Sequence, residues 1–208
     1  MSEKKLQFKK SHYTNTFIVI RMKKQILILY ALLVVISASA QKSGQNIFWD
    51  TLSSHCGKSF EGTITSEGKN DGFEGKQLVM HVKKCSVNEL KIPFFVGEDR
   101  SRTWVLTKQE DGILLKHDHR NTDGTPEELT MYGGKATNWG TANMQFFPAD
   151  QETSNMLPRA TFNVWWMTVD NTSFSYNLRV VNTDRIFTVE FDLTKEEETP
   201  EDPWGWEE

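Results

Sequence analysis

Alternation of apolar and polar side chains is the clearest pattern in this chain. Phe174, Tyr176, Leu178 and Val180 alternate with Ser175, Asn177 and Arg179, and Phe187, Val189, Phe191 and Leu193 alternate with Thr188, Glu190 and Asp192. A period of two sends successive side chains to opposite faces of a strand, so each segment buries one face and wets the other. Asn182-Thr183-Asp184 between them is turn chemistry and predicts a hairpin. The pattern recurs less cleanly at residues 60–65, 78–83, 92–96, 102–108, 113–119, 129–132, 144–147 and 162–169. Breaks fall at Gln109-Glu110-Asp111-Gly112, Gly133-Gly134, Pro148 and Asp170-Asn171. The total is about ten short strands. Helical pattern is confined to short stretches at 46–52 and 151–159. Short strands without long crossover helices need antiparallel connections. The expected fold is all-β, an antiparallel up-and-down barrel of about ten short strands, with a β-sandwich as the alternative.

The N-terminal region follows another logic. Lys23 and Lys24 precede an unbroken apolar run of 11 residues, 26–36, and Ser37-Ala38-Ser39-Ala40 offers small residues for a cut before Gln41. Basic end, short apolar stretch and A-x-A site predict a secretory signal peptide. The run is shorter than the roughly 20 residues of a transmembrane helix. Translation is expected to start at Met22 rather than Met1, although a long basic leader from Met1 is the alternative. The expected organisation is therefore 1–40 extension and signal, 41–59 lead-in, 60–194 barrel, and 195–208 an acidic, Trp-containing, mostly extended or mobile tail. A periplasmic or extracellular location follows, with no transmembrane segment after processing.

Processing sharpens the charge. Of 24 Lys+Arg and 28 Asp+Glu, residues 1–40 hold seven of the former and Glu3, leaving 17 against 27 and a net charge of −10. That balance argues against nucleic acid as a partner. A monomer is expected. Cys56 and Cys85, the two cysteines, both lie in the exported part. Pairing them closes a loop of roughly 30 residues. A disulfide is expected, with buried thiols or half of a metal site as alternatives.

The most unusual segment is Lys116-His117-Asp118-His119-Arg120. Residues two apart on a strand share a face. A two-residue turn at 110–111 or 111–112 would place His117 and His119 with Ile113, Leu115, Leu106 and Trp104 on the inward face, near an open rim, with Lys116 and Asp118 outward. An H-x-H pair can chelate a metal through imidazole nitrogens, given a third ligand for which His81 and Glu98 are candidates. Arg102 and Arg120 flank the pair, and guanidinium groups recognise anionic headgroups. The candidate ligand site is Arg102, Trp104, His117, His119 and Arg120, with Leu106, Leu115 and Phe146 lining the interior. Trp139, Phe147, Trp165 and Trp166 add further rings, and adjacent pairs such as Trp165-Trp166 must place one ring on each face. No G-x-S-x-G, H-E-x-x-H, P-loop or dinucleotide fingerprint is present.

The segments Gly97-Glu98-Asp99-Arg100-Ser101-Arg102-Thr103-Trp104, 115–120, Asp123-Gly124-Thr125-Pro126, Met131-Tyr132-Gly133-Gly134 and Gln145-Phe146-Phe147-Pro148-Ala149-Asp150 resemble a group of uncharacterised exported bacterial proteins over residues 60–193. That resemblance implies no catalytic residue and no cofactor. Strand count and size are also similar to lipocalin-like barrels, at the level of architecture alone. Trp49 lies well before Gly57 and Gly62, so the lipocalin G-x-W is absent in its usual form. The functional expectation is an exported barrel binding a small apolar or amphipathic ligand. The alternatives are a metal-dependent or acid–base enzyme using His117 and His119, and an envelope interaction protein.

Overall fold

The computed structural model describes residues 21–26, 43–67, 72–137 and 140–206. The chain divides into two units, Met1–Lys42 and Ser43–Glu208. In the first, residues 21–26 are helical. The rest of the expected signal segment, from 27 to the cut site, lies outside the described residues, as does Trp139. Among the described residues no helix is long and apolar enough to cross a membrane.

The second unit is a nearly closed antiparallel barrel. Its strands are β1 (Ser59–Ile64), β2 (Leu78–His81), β3 (Lys84–Cys85), β4 (Glu89–Val96), β5 (Asp99–Gln109), β6 (Gly112–His119), β7 (Tyr132–Lys135), β8 (Met144–Pro148), β9 (Asn163–Val169), β10 (Ser173–Val180) and β11 (Ile186–Asp192). They are joined in the order β7-β6-β5-β4-β2-β1-β11-β10-β9-β8, with the two-residue β3 on β4. Neighbours in sequence are neighbours in space, so the up-and-down arrangement expected from the short turns is the one observed. The sandwich is not. The β5–β6 hairpin turns at Glu110-Asp111, with Gln109 opposite Gly112, and this register places Trp104 opposite His117 and Arg102 opposite His119.

The ring closes between β7 and β8, where glycine matters. Gly133-Gly134 was expected to end a strand over 129–132, but β7 runs through both. A side chain on Gly133 would run into the Leu115 carbonyl, and one on Gly134 into the Pro148 carbonyl. The backbones approach too closely there for anything larger. No ladder joins β7 to β8. Instead the Asp150 N–H donates to the Gly133 carbonyl at 3.0 Å. Thr153, on the short helix α2 (Gln151–Met156), uses its hydroxyl to accept from the Gly133 N–H at 2.6 Å and donate to the Gly133 carbonyl at 2.7 Å. One side chain thus bonds both backbone polar groups of the buried Gly133.

The two ends of the barrel differ. One is sealed by α1 (Gly44–Ser53), capped by Ser43, whose side chain accepts from the Asn46 N–H. Gln45, Phe48, Trp49 and Leu52 form its buried stripe, the spacing of one helical face. They pack into a core with Leu90, Ile92, Leu106, Ile113 and Leu115. Gln45 Nε2 donates to the Gln109 carbonyl, and the Lys108 ammonium lies 5.7 Å from the centre of the Trp49 ring. Cys56 and Cys85 are disulfide-bonded at this end.

The tail is docked rather than free. Glu197 bridges to Ser59, Lys83 pairs with Asp202 at 2.6 Å, and Arg100 with Glu201 at 2.5 Å. The Trp204 N–H donates to the Arg100 carbonyl, Lys91 sits over the Trp206 ring, and Pro203 is buried. These partners lie on β1, β4, β5 and the end of β2. Of the two expectations for the tail, extended or mobile, the described residues fit the extended one, a strap along the outside of the barrel.

Candidate functional site

Opposite α1 the barrel opens into a cavity of about 550 Å³. The segments 65–67, 72–77, 97–98, 120–131, 149–162 and 181–185 surround this end. Trp104 forms its floor, stacked against Phe94 on one side (ring centres 4.9 Å) and Tyr176 on the other (4.5 Å). Phe73, Trp165, Leu178 and Phe187 continue the apolar wall. Leu106 and Leu115, expected to line the interior, are fully buried in the filled half below.

Both histidines project inward, as their parity predicted. His117 is 4 % exposed and stacks on Tyr132 with ring centres 4.8 Å apart. Its Nδ1 lies 3.1 Å from the Tyr132 carbonyl and its Nε2 2.7 Å from the Tyr176 hydroxyl. A carbonyl oxygen can only accept, so Nδ1 carries the proton and Nε2 accepts from Tyr176. Burial pushes the His117 pKa down to about 3, against the carbonyl hydrogen bond, which raises it. His119 Nε2 meets the Tyr132 hydroxyl at 3.0 Å, and its Nδ1 lies 3.8 Å from Glu127. Burial and the nearby Arg102 charge hold its pKa at about 4. Tyr132 is raised to about 12 and Tyr176 well above its ordinary value, both chiefly by burial. At neutral pH these two histidines and two tyrosines are uncharged, and their side chains hydrogen-bond one another in pairs.

Arg102 lines the cavity, ion-paired with Asp99 and 5.8 Å from the centre of the Phe73 ring. Burial would raise the Asp99 pKa, but hydrogen bonds from Ser101 and Arg102 hold it below the ordinary value. Arg120 is not brought to this site. Its Nε donates to Asp118 at 3.0 Å on the outer surface, which is where its odd offset from His119 sends it. Lys116 and Asp118 also face outward, yet both are buried. Lys116 is covered by α2 and pairs with Asp150 (2.9 Å) and Glu152 (2.7 Å). Burial opposes its charge, but those two bonds prevail and raise its pKa.

Phe146 was expected inside and is not. It is 43 % exposed and stacks on Trp166 outside, while Phe147 and Trp165 fill the interior. One residue of strand phase makes the difference. The metal-ligating arrangement is not formed either: among the described residues no group of three His, Cys, Asp or Glu comes together to hold an ion. Both nitrogens of His117 have other partners. His81 lies at the sealed end, paired across β1–β2 with Ser59, and Glu98 is exposed in the β4–β5 turn.

Two charged cavity residues were not singled out from sequence. Arg159, in the 3-10 turn Pro158–Ala160, and Arg185, just before β11, reach the mouth from separate loops. Neither carries local sequence context that distinguishes it from any exposed arginine.

Together these features define a nearly closed antiparallel barrel, sealed at one end and open to an aromatic-walled cavity at the other. Comparison of the chain with protein-family models, curated proteins and solved structures finds no match. Of the resemblances expected from sequence, the antiparallel barrel architecture is the part the structure supports.

Proposed function

We propose that this protein is an exported binding protein that takes one small amphipathic molecule into the open end of its barrel. The carrying observation is the cavity itself: about 550 Å³, walled by Phe73, Phe94, Trp104, Trp165 and Phe187. Sites for small molecules are concave, mostly apolar and within this size range, and barrel mouths are a usual place for them. The Cys56–Cys85 disulfide supports an oxidising compartment. Arg102, Trp104, His117 and His119 form part of the lining. The histidines act there as neutral hydrogen-bonding supports for Tyr132 and Tyr176. The acid–base alternative finds less support, because both imidazoles are held neutral and both nitrogens of His117 are engaged.

Titration with N-phenyl-1-naphthylamine, a neutral apolar fluorophore, tests the reading. Saturable binding at one site per chain is expected, lost in Leu178→Trp, which fills the cavity. Non-saturable binding, or binding indifferent to that substitution, would reject it. The outward Phe146–Trp166 stack favours a second reading, a contact surface for another protein. Trp166→Ser should then weaken a partner's association without touching fluorophore binding.

A further inference from the structure

The lining of the cavity has a charge bias that the rest of the chain lacks. Among the described residues its charged members are Arg102, Arg159 and Arg185, with no carboxylate. Yet the whole chain carries 28 acidic groups against 24 basic ones. Three positive groups converging on one concavity of an acidic protein concentrate a field that favours an anion.

The three arginines are not equivalent. Arg102 is already paired with Asp99. Arg159 and Arg185 are exposed, and among the described residues neither side chain has a hydrogen bond or ion pair. They come from different loops, 149–162 and 181–185, and both face the mouth. The deeper polar groups are committed: the Tyr176 hydroxyl to His117, the Tyr132 hydroxyl to His119, and His117 Nδ1 to a carbonyl. The floor is rings, the wall is apolar, and the free donors sit at the rim.

We infer that the ligand is a single-headed amphipathic anion, its carboxylate or similar oxyanion held by Arg159 and Arg185 at the mouth and its apolar body inserted toward Trp104. This inference rests on the cavity-binding reading and adds the head's charge and the ligand's direction. Guanidinium groups suit it because their planar N–H pairs match the two oxygens of a carboxylate. An anion placed head-down would meet neutral groups that already have partners, and would forfeit its hydration without compensation.

Calorimetric titration of the full barrel with dodecanoate, dodecanol and dodecyltrimethylammonium, each below its micelle concentration, separates head from tail. Dodecanoate should bind more tightly than dodecanol by about tenfold, and the cation more weakly than either. In Arg159→Gln/Arg185→Gln the preference for dodecanoate over dodecanol should collapse, and the salt dependence of dodecanoate binding should fall. Equal affinities for all three heads, or an unchanged preference in the double variant, would overturn the anionic assignment while leaving the cavity reading in place. If no amphiphile binds whatever its head, the cavity reading fails and this inference with it. Vesicles containing anionic phospholipid provide the last arm. Binding to vesicles with no binding of free dodecanoate would assign the arginines to a membrane surface and reject a ligand headgroup.

Discussion

The two ends of this barrel are built from the same strands and do different work. At the α1 end, apolar side chains interlock: Phe48, Leu52, Leu90, Leu106, Ile113 and Leu115 have no exposed surface. At the other end, Leu157, Leu178, Val180 and Phe187 stay partly exposed around an open volume. A close-packed interior leaves no room for a ligand, and a cavity forgoes the contacts that would stabilise it. Stability is therefore concentrated at one end and binding capacity at the other. The sharpest way to break this division is a truncation at each end. Phe48→Ala should cost about 4 kcal/mol, and Leu178→Ala about 1 kcal/mol. Urea midpoints at unchanged slope would measure both. Equal costs would mean that the division is wrong.

The disulfide belongs to the sealed end and should act there. Cys56 and Cys85 are 29 residues apart in sequence. Replacing both with serine frees that loop in the unfolded chain and should cost about 3 kcal/mol. Hydrogen exchange should rise in α1 and β3–β4 while the slow amides of β9–β10 keep their rank order. A uniform loss of protection at both ends would show that the bridge supports the whole barrel.

The strands were more legible in sequence than the loops around the mouth, and the reason is physical. Strand phase is local information. Once Glu110-Asp111 is the turn, Trp104, His117 and His119 must share the inward face, and the observed register has them so. The same parity sends Arg120 outward with Asp118, so grouping it with the inward set went against the pattern's own rule. Phe146 and Phe147 show the limit of that rule. Two adjacent rings state that one faces in, and a strand of five residues, Met144–Pro148, gives little else to fix which. Gly133-Gly134 reads locally as a stop, but the pair is set by the closeness of β6 and β8, which no local pattern encodes. Arg159 and Arg185 are legible least of all. Their meeting at the mouth depends on two loops converging across the barrel, and Lys116 is buried because α2 folds over it.

Acid should weaken the open end through its neutral imidazoles. In the unfolded chain a histidine titrates near 6.5. In the folded chain burial holds His117 at about 3 and His119 at about 4. Between those values the unfolded state binds the proton and the folded state does not. Stability is thus full above pH 6.5 and is lost as pH falls through 6.5 toward 4. Going from pH 7 to pH 5, each such histidine removes about 2 kcal/mol. His119→Gln, which can still meet the Tyr132 hydroxyl, should therefore lower the loss between those two pH values by about 2 kcal/mol. Chemical denaturation at each pH would show it, and an unchanged pH slope would mean that His119 is protonated freely in the folded protein.

The smallest expected effect is the one that most sharpens the contrast between the ends. Lys116 is a cation built into the structure, nearly buried and bonded to two carboxylates. Removing it should leave Asp150 without its charged partner beside the seam that Thr153 closes. Arg159 and Arg185 are exposed, and among the described residues their side chains make no hydrogen bond or ion pair. An unpaired surface cation contributes almost nothing to folding, so Arg159→Gln/Arg185→Gln should change stability by no more than about 0.5 kcal/mol. Thermal and urea unfolding of the ligand-free protein would measure this directly. A loss above about 1 kcal/mol would mean that these side chains are held by the fold. Their charge would then be committed to structure and not available at the mouth. An unchanged midpoint leaves two cations, at the rim of a net-acidic protein's cavity, that folding does not require.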